Sequence, residues 1–461
     1  MSPALPDGVS WPSDGLLSPD LVGAPNRDLS LYIHVPFCRV RCGYCDFNTY
    51  TVGFGTGADV ESYDRSVVRE LDLAARVLAP FDHRPVQSIF FGGGTPTMLH
   101  ATALAGLVAA IRKRFELSPA CEITVEANPD TVDERALEIL ASGGFTRVSF
   151  GMQSGVPHVL RTLERTHDPH RIESVVQWAR QVGLSASLDL IYGTPGESLE
   201  DWERSLDLAL SVKPDHISTY ALVIEEGTKM AARVRRGELP MPDPDDEAEK
   251  YELADRVLPD AGFAWYEISN WARLMPGEFP GTTNLRHASV HNIAYWRDCD
   301  WWGVGPGAHS HVGNARWWNI KHPRAWADAL GTGLSVQSTG SGVGSPAQAG
   351  EVLSAEDRQL ERVMLAIRTA DGLAVEDIDP PLRAELPRLV SEGLVEPAAL
   401  GAFARGPAVS GAGESPVSSA TRSATGSQAI PEVAVPAASA RVKLTLRGRL
   451  LADYVTRELT A

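Results

Sequence analysis

Residues Leu31 to Phe47 read LYIHVPFCRVRCGYCDF. The stretch opens with a short apolar run, Leu31 to Val35, that suits a buried strand. It then places Cys38, Cys42 and Cys45 in one short loop, out of five cysteines in 461 residues. A chain of this length needs no covalent staple, and an odd thiol count does not make a disulfide framework. Thiolates are soft ligands that suit zinc or iron–sulfur chemistry. Zinc would need a further ligand, with His34 or a remote side chain as candidates. An ordinary four-iron cluster takes four cysteines. Three without an obvious fourth suggest a cluster with one iron left open.

Beyond this loop, short apolar runs alternate with helical periodicity. Strands are expected at Val86 to Phe91, Glu122 to Glu126, Arg147 to Gly151, Ser187 to Ile191, His216 to Leu222 and Phe263 to Ile268. Helices are expected at Val60 to Leu78, Thr97 to Phe115, Asp133 to Ala141, Pro169 to Val182, Leu199 to Leu210 and Asp245 to Leu258. In the first of these helices, Tyr63, Val67, Leu71, Ala74 and Val77 fall on one side. Such alternation predicts parallel βαβ units and an α/β barrel or part-barrel. Functional groups then collect at the strand C-termini. Those ends carry Cys38 to Cys45, Gly92 to Pro96, Glu126 to Asn128, Gly151 to Gln153, Asp189 to Gly196, and Tyr220. Gly92, Gly93 and Gly94 match neither a dinucleotide fingerprint nor a P-loop, but glycines after a buried strand permit close backbone approach.

Composition narrows the partners. Hydrophobic residues make up 43% of the chain, enough for a real core, and the length calls for more than one domain. The net charge of −17, from 42 basic and 59 acidic side chains, disfavours nucleic acid or an anionic membrane as the main partner. The start, MSPALPDGVSWPSDG, lacks the basic and apolar regions of a secretory signal. No apolar run is long enough for a spanning helix. A cytoplasmic location is expected, with transient membrane association only through a client.

The expected division is a flexible lead-in at 1–29, a barrel at 30–330, a Gly/Ser/Thr-rich linker at 331–350, and a C-terminal domain at 351–461. Residues 271–320, dense in Trp, His, Asn, Gly and Arg, read as a loop region that lines a pocket or packs over the barrel mouth. Residues 403–440 are mostly Ala, Gly, Ser, Pro and Val and read as a low-complexity insert. Without it, the C-terminal domain reads as a small α+β winged-helix-like module lacking a basic recognition helix.

The spacing C-x3-C-x2-C, with Tyr44 before the last cysteine, resembles the signature of the radical S-adenosylmethionine (radical SAM) superfamily. The flanking YIHVPFC and DF resemble the oxygen-independent coproporphyrinogen III oxidases and their heme-chaperone relatives. The resemblance spans roughly 30–400 and 441–461. It implies an incomplete (β/α)6 barrel holding a 4Fe-4S cluster on Cys38, Cys42 and Cys45. It also implies S-adenosylmethionine on the open iron, as the source of a 5′-deoxyadenosyl radical. Tyr32, Gly93, Gly94, Thr95, Glu126, Gln153, Arg165 and Asp189 match family positions near that cofactor. Arg161 competes with Arg165 as the cation, and Ala221 offers backbone to the adenine. Tyr44 and Phe47 would shield the cluster.

Two features separate the close relatives. The oxidases carry a fourth cysteine where this chain has Phe47. The chaperone branch carries H-N-x-x-Y-W, associated with heme binding and matched here by His291, Asn292, Tyr295 and Trp296. The longer segment before it leaves His287 open as a competing ligand. The implied function is a heme chaperone that binds heme and delivers it to client hemoproteins such as respiratory cytochromes, membrane-bound ones included. Nucleic acid is not an expected partner. The alternative is oxygen-independent coproporphyrinogen III oxidase, which makes protoporphyrinogen IX. That activity is not expected here, and whether S-adenosylmethionine is cleaved stays open.

Overall fold

The computed structural model describes residues 8–22, 27–52, 60–80, 84–331, 344–402 and 440–460. They fall into two compact units, 1–370 and 371–461. The first is built on strands β1 (Leu29–Val35), β2 (Val86–Gly93), β3 (Leu117–Ala127), β4 (Arg147–Gln153), β5 (Ser185–Tyr192) and β6 (His216–Ala221). These six run parallel, each paired with the next. Helices α1 (Val60–Leu78), α2 (Ala101–Arg112), α3 (Glu134–Ser142), α4 (Arg171–Gln181) and α5 (Leu199–Ser211) make the successive crossovers. β1 and β6 are not neighbours in the sheet, so the barrel is incomplete. The expected (β/α)6 part-barrel is therefore present.

Two periodicities set this arrangement. Along the helices, apolar residues recur on one face: Tyr63, Val67, Leu71, Ala74 and Val77 of α1 are all buried. Burying each of the larger ones contributes about 1.5–3 kcal/mol. Side-chain caps start the helices, Asp133 for α3 and a Ser198–Asp201 capping box for α5. Along the strands the alternation is of another kind. Ile123 and Val125 of β3 alternate with Glu122, Thr124 and Glu126, and on β5 Leu188 and Leu190 alternate with Ser187 and Asp189. The apolar set packs into the core, while Thr124, Glu126, Ser187 and Asp189 line the barrel's central cavity.

The sheet continues past both barrel edges. Helix α6 (Pro244–Asp260) leads into β7 (Phe263–Glu267), and β8 (Asn270–Arg273) pairs antiparallel with both β6 and β7. On the other side β9 (Asp300–Val304) adds parallel to β1. It is followed antiparallel by β10 (His309–Val312), β11 (Ala315–Asn319) and β12 (Ala347–Val352). The order across the twelve-stranded sheet is β12-β11-β10-β9-β1-β2-β3-β4-β5-β6-β8-β7. The 271–320 region is thus loop chiefly at residues 274–289. It also holds most of β8, a helix, α7 (Val290–Trp296), and three further strands. Its tryptophans obscured the alternation because several pack inward: Trp302, Trp317 and Trp318 are all buried.

The lead-in is also corrected in part. Trp11 stacks on Trp317, with ring centroids 5.6 Å apart, and Val9 bridges to Gly350 on the edge strand β12. Leu17 and Val22 are buried, and Arg27 pairs with Asp298 and Asp300. Residues 8–22 therefore form a strap held by packing. The division between units falls at 370/371 rather than 350, because β12 is hydrogen-bonded into the large sheet.

In the second unit, β13 (Leu373–Ala374) pairs antiparallel with β14 (Arg441–Val442). Buried Leu386, Leu389, Leu394, Leu444 and Val455 form its core. Most of the expected 331–350 linker, and the 403–440 insert up to residue 439, lie outside the described residues.

Candidate functional site

The cysteine loop leaves β1 at the C-terminal end of the barrel and is pinned at several points. Phe37 and Cys38 pair in parallel with Tyr50 and Thr51. Gly43 donates its N–H to Leu163 O at 3.3 Å and accepts from Met230 N at 2.8 Å. The Asn48 amide donates to Pro306 O and Lys321 O, both at 2.9 Å. The glycine turn after β2 grips the loop from beside it. Gly94 N donates to Val35 O and Thr95 N to Phe37 O, each at 2.8 Å. A Cβ on Gly94 would lie 2.7 Å from Phe37 O, so only glycine permits this approach.

Cys38, Cys42 and Cys45 are free thiols lining one cavity of ≈580 Å³. The Thr95 hydroxyl lies 3.9 Å from Cys38 Sγ, and the Arg165 guanidinium donates to Cys42 Sγ at 3.6 Å. Burial pushes the Cys38 thiol up to about 11, with Thr95 opposing. Burial likewise raises Cys45. Three soft donors on one cavity wall, with the Cys38 and Cys45 thiolates disfavoured by burial, fit a cationic iron–sulfur cluster, which would favour the thiolate form.

Tyr32, Tyr44, Gly93, Gly94, Thr95, Glu126, Gln153, Arg165, Asp189 and Ala221 line the same cavity. Arg165 bonds Gly151 O at 2.9 Å, while its Nε is buried and has no partner among the described residues. Gly151 makes room for it, since a Cβ there would lie 2.8 Å from the guanidinium. The competing cation, Arg161, is exposed on the helix Pro157–Thr162. Gln153 sits at φ +62, a conformation that non-glycine residues rarely adopt and that concentrates at functional sites.

The carboxylates of Glu126 and Asp189 face the same space. Burial, with the Asp189 charge adding to it, pushes Glu126 up to about 8, although Gly93 N–H donates to it at 3.1 Å. Burial also raises Asp189, opposed by hydrogen bonds from Ser149 and Ser218 and by Arg165. An unpartnered guanidinium N–H beside two desolvated carboxylates fits a zwitterion such as the aminocarboxylate end of S-adenosylmethionine.

His34 is not available as a ligand. Its Nε2 donates to Asn48 O at 2.9 Å, so its Nδ1 accepts from the Tyr32 hydroxyl at 3.1 Å. Burial lowers this imidazole to about 4.

The four motif residues divide between two surroundings. His291, Asn292 and Tyr295 line the cavity, and Trp296 does not. Trp296 turns to the buried Glu267, where Asn292 also bonds. His291 stacks on Phe90 with ring centroids 5.0 Å apart. Its Nδ1 lies 2.8 Å from Ser88 Oγ, which itself donates to Ser30 Oγ at 2.9 Å. Ser88 must therefore accept from His291, which fixes the Nδ1–H tautomer and leaves the Nε2 lone pair to the Tyr295 hydroxyl at 3.2 Å. Burial lowers His291 to about 3, so the ring is neutral. His287 does not line the cavity and lies 3.9 Å from Asp215. Cys121 and Cys299 lie outside the cavity.

The lower barrel layers were missed from sequence. Thr124, Arg147, Ser149, Ser187, His216 and Ser218 all line the cavity. The signal was present as polar residues at alternate positions of β3 to β6, where a strand covered on both faces would be apolar throughout.

The profile of the radical SAM superfamily matches residues 32–209. The chain is 42% identical over 379 residues to the heme chaperone HemW of Mycobacterium tuberculosis, covering 82% of this chain and 91% of that protein. It is 31% identical over 347 residues to the heme chaperone HemW of Bacillus subtilis, covering 75% and 84%. Among solved structures it resembles the Escherichia coli coproporphyrinogen III oxidase HemN, a radical SAM enzyme. The TM-score is 0.70 at 21% identity, over 98% of this chain and 96% of that one. At that identity the likeness concerns the fold alone.

Proposed function

This chain belongs to the heme chaperone family of radical SAM proteins, and from that premise we propose that it binds heme at the barrel cavity and hands it to client hemoproteins in the cytoplasm. The observation that carries the reading is the position of α7. Its His291 and Tyr295 line the cavity that the three cysteines line. The His291 tautomer supports it further. A ligating imidazole needs a bare nitrogen and a second nitrogen held by an acceptor. His291 has Nε2 bare of hydrogen and Nδ1–H held by Ser88. Exchanging the Tyr295 hydroxyl for heme iron would give up one long hydrogen bond and leave the ring in place.

Cys38, Cys42 and Cys45 would hold a 4Fe-4S cluster, and Arg165, Glu126 and Asp189 the charged end of S-adenosylmethionine. Such a pair supplies one-electron chemistry when bound. The chain's own part is to orient both groups and to keep water away from them. Phe47, 58% exposed at the mouth, stands where the oxidase branch carries a further cysteine. This favours carriage of heme over oxidation of a porphyrinogen.

The test is an anaerobic heme titration of the cluster-reconstituted protein, followed by absorbance, beside His291→Ala. Saturable one-to-one binding that weakens at least about tenfold in the variant is expected, because an axial bond and a stacked ring are lost together. Equal binding by both proteins, or none by either, would overturn the assignment.

A further inference from the structure

Below the cysteine loop and the S-adenosylmethionine residues, the cavity continues into a chamber that neither uses. It is lined by Thr124 of β3, Arg147 of β4, Ser187 of β5 and His216 of β6. The strand register sets these side by side: Thr124 opposite Arg147, and Ser187 opposite His216. Arg147 is buried and fixed. It pairs with Glu122 at 2.9 Å and donates to Ser187 Oγ at 3.0 Å and to the carbonyls of His287 and Ala288.

Two donors here have no acceptor. The Tyr266 hydroxyl accepts Ser289 N–H at 3.2 Å and lies 2.7 Å from His216 Nε2; with no other acceptor for its own proton among the described residues, it is satisfied by donating to that nitrogen. Burial lowers His216 well below its ordinary value, so the ring is neutral and its proton sits on Nδ1. That N–H has no partner among the described residues, and neither has the Thr124 hydroxyl. The two residues are 2% and 1% exposed. Ser187, which already accepts from Arg147, keeps a hydroxyl proton of its own to give. Buried donors are ordinarily satisfied, and leaving them open is costly. The chamber thus offers one buried imidazole N–H and two hydroxyl protons without an acceptor among the described residues, beside a guanidinium.

We infer that this chamber is a carboxylate-binding subsite. Resting on the heme reading, its occupant is one of the two propionate groups of heme. Ser289, whose N–H fixes the Tyr266–His216 pair, is the cap of α7, the helix that carries His291. One wall therefore joins the chamber to the proposed axial ligand.

The test uses the full-length, cluster-reconstituted chain and two kinds of probe. The first is sodium propionate, with 1-propanol as the uncharged control, read by thermal unfolding. Propionate should raise the wild-type midpoint saturably and 1-propanol should not. Thr124→Val and Ser187→Ala, both small changes, should each weaken propionate about tenfold. The second is heme against heme dimethyl ester, read by absorbance. Wild type should prefer the free acid by about tenfold, and Thr124→Val should abolish that preference without changing affinity for the ester.

The inference is overturned if propionate gives no saturable shift, or the same shift in the variants, meaning that the chamber holds only water. It is equally overturned if acid and ester bind alike. The two readings fail separately. Propionate binding that the variants lose, with no binding of heme in either form, removes heme and keeps the subsite. Heme binding indifferent to esterification removes the subsite and keeps heme.

Discussion

Glu126 shows how a single side chain reports on the site. It lies at the C-terminal end of β3, deep enough that burial, reinforced by Asp189, lifts it to about 8 from an ordinary 4.5. The folded chain then keeps, between pH 4.5 and 8, a proton that the unfolded chain releases. The associated stability is fully present below the lower value and is lost as pH rises through the upper one. Glu126→Gln cannot titrate. The stability of wild type relative to this variant should therefore fall by on the order of a few kcal/mol across that window. Denaturant midpoints of both proteins at pH 5 and pH 9 measure this, and parallel pH profiles would refute it. Other residues were legible as types and less so as roles. Cys38, Cys42 and Cys45 could be read from spacing, because a covalently short loop confines its thiols. That His34 is locked between Tyr32 and Asn48 could not be read, because Asn48 approaches only once the loop folds back.

At the scale of elements, α7 is the informative case. A short helix is marginal by itself and depends on its cap and its packing. The Ser289 side chain accepts from Asn292 N at 3.3 Å, and Ser289 N donates to the Tyr266 hydroxyl. Ser289→Ala removes the cap and should cost about 1 kcal/mol, seen as a lower denaturant midpoint with an unchanged slope. An unchanged midpoint would show that tertiary contacts alone hold the helix. The sequence did not mark this helix, because His291, Asn292, Tyr295 and Trp296 mask any apolar stripe. The parallel strands and their helices were legible, since each buries one consistent face. β9, β10 and β11 were not, because their alternation is filled with tryptophan, histidine and asparagine.

The first unit, taken whole, is a sheet extended past a six-stranded core and strapped at one edge. The strap works through Trp11. Gly350 of β12 has no side chain, and a Cβ there would lie 2.2 Å from the Trp11 ring. Trp11 can therefore lie against the strand and stack on Trp317. Trp11→Ala should destabilise this unit by about 2 kcal/mol through lost apolar burial and ring stacking. Chemical denaturation measures it, and a change below about 0.5 kcal/mol would mean that the strap contributes little. Among the described residues no helix is long and apolar enough to cross a membrane.

What the sequence determined by itself was local. It set the cysteine spacing, the βαβ rhythm and the motif at His291, each carried by residues within a few turns of one another. The tertiary structure decided what those pieces share. It alone brought α7 across more than two hundred residues of chain to stand beside Ser88, with which it fixes the His291 tautomer. It alone turned the alternate polar residues of β3 to β6 into one chamber, through register between strands. The reason is physical. Periodicity dictates which face of an element is wet or dry, but the partner that satisfies a buried donor comes from another element, and only the pairing and packing of the elements set that distance.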